Sequence, residues 1–348
     1  WSRGLGDVYK RQDRERASHV SNRSRRIWNK VLRTATFGAL VVVLVPIWAV
    51  HRVVSDLRTR RRSGSTTAIA HVHARDVTLD ELIRGRRPVI IEGLVEQLDL
   101  PVVPDLDGLR SLAADRTDTF AVTSHRGDAP YFLYVGDYGA EAVSTTRMNL
   151  AEFLDFMFDD VGRDPDTCTY RLFGIADLDH EVGRIIDSMA AGLARLTDRR
   201  AEQKASGIWI GSKGVTTPLH HDAWTGLLFQ MTGSKRVLMY PPEDRTNIYF
   251  TSPFAATDRW SNLPARSDDA DPREYPRLAR ACRYEGRLDA GHVLFIPPFW
   301  AHEVEALEAN ISIPFRFGTQ PLDHLNPGFL RPANEIIGRE LARLGAAR

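Results

Sequence analysis

Ligand-type side chains crowd together in one short stretch of the chain, Thr217-Pro218-Leu219-His220-His221-Asp222. In an extended strand residues i and i+2 point to the same side. His220 and Asp222 therefore present an imidazole and a carboxylate to a common point, while His221 faces the other way. An isolated His-x-Asp pair is weak evidence, because a chain with 11 histidines holds about one such match by chance. Two ligands of different type on one strand need a third from elsewhere. His302 is the best-placed candidate, just past the apolar run HVLFIPPFW. The three together make a two-histidine, one-carboxylate facial triad, a set that holds Fe(II) with coordination positions left open. Those positions suit a chelating cosubstrate and dioxygen.

Such a triad has to be carried by strands, and the chain supplies them. From residue 206 onward it reads as short β-type runs broken by Gly and Pro: GIWIG, LLFQM, RVLMY, HVLFI, HEVEAL and ISIPFRF. Without intervening helices this favours an antiparallel barrel or jelly roll. Residues 247–280 are long, polar and Pro-containing, and read as an excursion between strands. Upstream, the pattern predicts a short helix over 78–84, a buried strand over 88–92 (PVIIE) and an amphipathic helix over 149–161. That helix has Asn149 as N-cap, with Leu150, Phe153, Leu154 and Met157 or Phe158 on one face. A weaker helix follows over 180–196, and the tail 333–347 is again helical. Phe295, Phe299 and Phe315 read as core. His71, His73, His125, His180 and His292 receive no role.

Composition bounds the reading. With 348 residues, 43% hydrophobic and 26% charged, the chain is ordinary globular material, neither disordered, collagenous nor polytopic in a membrane. A net charge of +1 offers no polycation to hold nucleic acid, so no nucleic-acid partner is expected. Cys168 and Cys282 are the only cysteines, too few for a disulfide framework or a thiolate zinc site. Residues 1–12 (with SRGLGDVYKRQ) read as a translated sequencing adaptor and are set aside. A basic segment over 13–33 precedes an apolar span over 34–54, followed by a linker over 55–67 (RTRRRSGSTT at its centre). The apolar run 35–50 has the length of a single transmembrane helix, with Trp28 and Trp48 at its edges; a signal peptide or a buried helix are its rivals. Arginines crowd both flanks, so charge does not fix orientation.

The runs 208–242 and 288–307 resemble the JmjC-like cupin family (cupin-8 type) of Fe(II)- and 2-oxoglutarate-dependent oxygenases. Within it they are most similar to the factor-inhibiting asparaginyl hydroxylase branch, over about 68–318. The resemblance implies a mainly β fold, a double-stranded β-helix with N-terminal α/β elements, over 68–320, and suggests that the C-terminal helical tail over 321–348 pairs two copies, the alternative being that it covers the barrel. It makes His220, Asp222 and His302 the iron ligands. Lys235 then pairs with the distal carboxylate of 2-oxoglutarate, supported by Thr217 and Tyr170, and Gln230 and Trp300 line the cavity. Three positions depart from the pattern. Gly226 stands for an asparagine, Arg316 for another polar amide, and Ala301 for a bulky aromatic; Arg316 is kept among the cosubstrate contacts. The implied activity is hydroxylation of a protein side chain or small molecule, with 2-oxoglutarate and dioxygen consumed. It is placed on the cytoplasmic side, where Fe(II) and 2-oxoglutarate are abundant. The rival readings are a metal-binding cupin without 2-oxoglutarate chemistry, such as an isomerase or sugar-binding module, and an inactive interaction domain.

Overall fold

The computed structural model describes residues 28–43, 45–50, 63–114, 116–126, 142–174, 179–197, 207–251 and 259–326, with single positions in 53–59 and 329–341. Helix α1 (Trp28–Val50) lies in a unit separate from the main domain. Its 23 residues are long and apolar enough to cross a bilayer. Trp28, Val31, Leu32, Val42, Val43, Ile47 and Val50 are exposed, while Trp48 packs on Phe37, Leu40, Val41 and Val45. Among the described residues the helix already includes Trp28, ahead of the expected span, and takes in Lys30 and Arg33, themselves good helix formers. In the C-terminal tail Ala333, Ile337, Glu340 and Leu341 are helical; the rest of the expected tail helix, and residues 1–27, lie outside the described residues.

Residues 54–323 form the other unit. It opens with β1 (Ser65–Ala68) and β2 (Ala70–His73), then α2 (Leu79–Gly85), β3 (Val89–Glu92), α3 (Leu94–Gln97), α4 (Leu106–Ala113), β4 (Phe120–Arg126), β5 (Ala142–Met148), α5 (Leu150–Phe158), β6 (Thr167–Gly174) and α6 (Asp179–Leu196). The strands β7 (Gly207–Gly211), β8 (Thr216–His221), β9 (Thr225–Thr232), β10 (Lys235–Tyr240), β11 (Cys282–Leu288), β12 (Val293–Ile296), β13 (Ala301–Ala306) and β14 (Asn310–Phe317) follow. A smaller sheet has the order β1-β11-β10-β13-β8 and a larger one β2-β3-β12-β9-β14-β7-β6-β4-β5. β7, β9, β12 and β14 lie in the larger sheet and β8, β10, β11 and β13 in the smaller, the expected double-stranded β-helix. Two parallel pairs, β1 with β11 and β2 with β3, extend it at the edges.

Local chemistry explains most of these elements. Thr78 caps α2 and Asn149 caps α5, each through a capping box with Glu81 or Glu152 three residues on. α5 buries Leu150, Phe153, Leu154, Phe156 and Met157, and these pack into one core with Phe229, Phe295, Phe315 and Phe317 of the larger sheet. Phe158 is left half-exposed. β12 is buried at every position, as expected of a central strand covered on both faces. Two strands were not anticipated. The expected linker over 55–67 ends early, because Ser65–Ala68 form β1 on the open edge of β11. Its side chains are all exposed, so no alternation marks it. β11 was hidden for a related reason: all of it but Leu288 is half-buried or exposed.

The turn from β9 to β10 sets where Lys235 begins its strand. Gly233 has φ +69° and a Cβ there would lie 2.2 Å from the Ala309 carbonyl oxygen. Gln230 braces the turn by donating its amide to the carbonyls of Thr232 (2.7 Å) and Gly233 (3.3 Å). Gly233→Ala should therefore destabilise the domain by about 1–3 kcal/mol, more than Gly291→Ala, where φ is +82° but the space is open. Urea unfolding of both variants checks this; equal losses would show that conformation alone, and not the contact with Ala309, governs the turn.

Candidate active site

β8 and β13 run antiparallel with His220 directly opposite His302. The register then slips: His302 pairs with His220, but Val304, two residues on, pairs with Thr217, three residues back. This one-residue bulge in β8 turns Thr217 onto the same side as His220, which is why a spacing of three works in a strand of period two. β8 is the edge strand of its sheet, so Pro218 costs no ladder bond. Its carbonyl instead accepts a hydrogen bond from His220 Nδ1 at 2.9 Å. His302 repeats the device, its Nδ1 bonding the Trp300 carbonyl at 3.0 Å. With both Nδ1 atoms donating to a carbonyl two residues back, both Nε2 lone pairs are free for a metal.

Donor atoms of His220, Asp222 and His302 all lie within 4.8 Å of one another. Burial pulls both imidazoles below their ordinary range, and the neighbouring histidine lowers His220 further while Asp222 opposes the shift. A neutral imidazole is the form a metal requires. For Asp222 burial favours the neutral acid, yet Arg316, His220, Arg259 and His302 outweigh it and hold the carboxyl far below the usual carboxylate range. Arg316, from β14, donates Nε and Nη2 to Asp222 Oδ2 at 3.0 and 2.8 Å. Arg259 Nη1 lies 3.5 Å from Oδ1. The backbone adds a further restraint, since Phe299, at φ 63°, donates its N–H to the Asp222 carbonyl at 2.7 Å. Two imidazoles and an ionised carboxylate, each oriented by another group, fit a divalent iron ion.

Lys235 opens β10, whose register sets Lys235 against Ala306 and Met239 against His302. The two-residue period thus aims Lys235 and His302 at the same interior, four residues apart along the sheet. Its ammonium donates to Ser312 Oγ at 2.9 Å, and burial pulls it down to about 7. A buried cation bonded to a hydroxyl calls for an anionic partner. His220, Asp222, His302, Lys235, Thr217, Tyr170 and Arg316 all line one cavity. Two residues assigned to its walls by resemblance stand elsewhere: Gln230 is spent on the β9–β10 turn, and Trp300 packs edge-on to Tyr284 at 5.1 Å. Ala301, the third departure, faces away from the cavity into a core with Leu219, Leu238 and Tyr240. His221 also faces away, stacked on Phe250 and 2.9 Å from Arg245.

The sequence reading missed Arg259 and Trp260. Both lie near the middle of the excursion, which runs there along the open edge of β8: the Ser261 N–H bonds the Leu219 carbonyl and the His221 N–H that of Arg259. The Trp260 indole then stacks on His220, 4.6 Å between centroids. Asn310 was missed too; it lines the cavity and donates to the Gly211 carbonyl at 2.9 Å.

Three curated relatives match stretches of the chain. tRNA wybutosine-synthesizing protein 5 of Danio rerio is 38% identical over 104 residues, 30% of this chain and 30% of its own. Jumonji C domain-containing protein 5 of Drosophila melanogaster is 36% identical over 110 residues, 31% of this chain and 26% of that protein. The lysine-specific demethylase JMJ30 of Arabidopsis thaliana is 31% identical over 114 residues, 33% and 26% of the two chains. The matches thus span less than a third of these relatives, and they do not specify the asparaginyl hydroxylase branch. The cupin-like domain family matches residues 74–322, a span that takes in every wall of the cavity and all strands of the β-helix; the chain belongs to that family.

Proposed function

We propose that the chain is an Fe(II)- and 2-oxoglutarate-dependent oxygenase that hydroxylates a substrate not yet identified. The observation that carries the reading is the meeting, in one cavity, of a two-histidine, one-carboxylate set with a buried lysine bonded to a hydroxyl. His220, Asp222 and His302 would hold the iron, which when bound supplies activation of dioxygen coupled to oxidative decarboxylation of the 2-oxo acid to succinate. The chain's own part is positioning. The carbonyls of Pro218 and Trp300 fix the two imidazole tautomers, and Arg316 with Arg259 keeps the Asp222 carboxylate ionised and oriented. Lys235, with Thr217 and Tyr170 on the same walls, receives the far carboxylate of the cosubstrate. The relatives' names point to tRNA in one case and lysine in another, so the substrate is left open. A cupin that binds metal without a 2-oxo acid has no use for Lys235 at this depth.

The first test is succinate release from 2-oxoglutarate by iron-loaded protein on admission of air. Wild-type protein should form succinate and Asp222→Ala should fall to the no-enzyme level with an unchanged thermal transition; equal release by both removes Asp222 from the ligand set. Calorimetry tests the lysine. Loss of a charge-assisted contact, roughly 1.5–3 kcal/mol, predicts that Lys235→Met binds 2-oxoglutarate about ten- to a hundredfold more weakly. The sign of the pH dependence follows from burial. The free protein holds Lys235 at about 7, the dicarboxylate favours the ammonium, and binding takes up a proton above that pH. Affinity should therefore fall, by up to about tenfold per pH unit, as pH rises above 7. Lys235→Met should lose this slope, and a slope kept in the variant would assign it to another group.

We also read α1 as a single membrane anchor with the oxygenase domain on the cytoplasmic side. The full chain should sediment with membranes through an alkaline carbonate wash, and a chain starting at Val54 should not; release of both would assign α1 to another role.

A further inference from the structure

At the other end of the β-helix a second group of ligand-type side chains comes together on three adjoining strands. β3 pairs with β2 in parallel, His73 beside Glu92, and with β12 antiparallel, Val293 beside Ile91. His71, Glu92 and His292 consequently project from one sheet face, the face on which Ile90 and Leu294 are buried between the sheets. β12 carries Ile296 into the wall of the active-site cavity. His292 precedes it by four residues, roughly 13 Å along a strand, so the two sites are separate.

His71 Nδ1 lies 2.7 Å from Glu92 Oε1, and the His71 and His292 rings meet edge to face with centroids 5.8 Å apart. One donor atom from each of His71, Glu92 and His292 falls within 4.8 Å of the other two. The hydrogen bond from His71, helped by the charges of His292 and His73, holds the Glu92 carboxyl below its ordinary range. His292 Nδ1 is buried and has no hydrogen-bond partner, an exposed cost in a protein interior unless a ligand takes its lone pair. The turn that presents His292 is fixed by backbone: its N–H bonds the Asp289 carbonyl at 3.1 Å and its carbonyl accepts from the Gln230 N–H at 3.0 Å. His73 is not part of the set, because its Nδ1 accepts the Arg75 N–H at 3.2 Å.

We propose that His71, Glu92 and His292 form a second divalent transition-metal site, of the kind that takes Zn2+, at the end of the β-helix remote from the active site. Zinc is bound by imidazole nitrogen and carboxylate oxygen at about 2.0–2.2 Å, so the three donors need only small side-chain rotations to share one ion, with water completing the sphere. The ion takes the place of the proton now between His71 Nδ1 and Glu92, which goes to solvent from an imidazolium or moves to Nε2 of a neutral ring, so that His71 binds as a neutral imidazole, and the ion satisfies the buried Nδ1 of His292. Bridging β2, β3 and β12, it ties the edge of the larger sheet to its centre.

The test is equilibrium dialysis of chelator-stripped full chain in detergent against Zn2+ alone, with bound metal counted per protein. His292→Gln and Glu92→Gln should each bind one equivalent fewer than the parent, in the wild-type background and equally in Asp222→Ala, where the other metal set is damaged. Zn2+ should raise the melting temperature of Asp222→Ala protein, and adding His292→Gln to it should abolish that rise. Equal zinc uptake by parent and both variants overturns the site, as does an Asp222→Ala protein that binds no zinc. If His292→Gln fails to fold, Glu92→Gln and His71→Ala, on half-exposed side chains, give the same count.

Discussion

Everything in the active site depends on how β8 pairs with β13. Antiparallel pairing sets His220 opposite His302, which delivers two imidazoles to one point with no loop between them. Strict alternation would still have turned Thr217 away from His220. The bulge cancels that, and an edge strand is where a bulge and a proline are cheapest. The same strand could not have been central, because Pro218 would have broken a ladder and Asp222 would have had no room to leave the sheet. Edge position brings a liability in turn, an open row of N–H and C=O groups. The excursion answers it by laying Arg259, Trp260 and Ser261 along that edge.

Electrostatics follows from the same arrangement. Two arginines, Arg259 and Arg316, face the single carboxylate of Asp222, and burial draws both imidazoles toward the neutral form. The cavity thus holds more positive than negative charge before Lys235 is counted. A divalent cation alone would not be favoured there; a cation accompanied by a dianion would be. Lys235 contributes in proportion to what it binds, since burial costs the lone ammonium much of its charge and an anionic partner restores it.

The triad was legible because its spacing is local. His220 and Asp222 sit two apart, and His302 follows an apolar strand ending in Pro297-Pro298 that reads as a barrel strand. The amphipathic helix over 149–161 and the strands from 207 on were legible for a similar reason, alternation or helical period over several residues. Arg259 was not, because its reach to Asp222 comes from strand-edge bonds formed after two intervening strands and part of a polar excursion, and no period encodes that. β1 and β11 were invisible because neither buries a clean face. The placement of Gln230 and Trp300 by resemblance failed on side-chain use: the Gln230 Nε2 goes to turn carbonyls and the Trp300 indole packs on Tyr284. His71 and His292 were given no role and Glu92 was only the end of a buried strand, since the three meet through the pairing of β2, β3 and β12, the last far along the chain.

The departures from the asparaginyl hydroxylase pattern carry unequal weight once their faces are known. Ala301 points away from the cavity, so the loss of an aromatic there alters a core and leaves the substrate side untouched. Gly226 and Arg316 are different, because they are cross-strand partners, paired in register between β9 and β14 and both on the cavity wall. Facing residues of an antiparallel pair share one volume. A Cβ at 226 would touch Ile296 at 3.4 Å, an ordinary contact, and anything longer would extend into the cavity that both residues line. The two changes fall on one pair of facing positions, and Arg316 is there a cationic brace on the Asp222 carboxylate. The meeting of His220, Asp222 and His302 persists whatever stands at these two positions, which is why it bears on the reaction class while this pair argues against importing the branch's asparaginyl substrate.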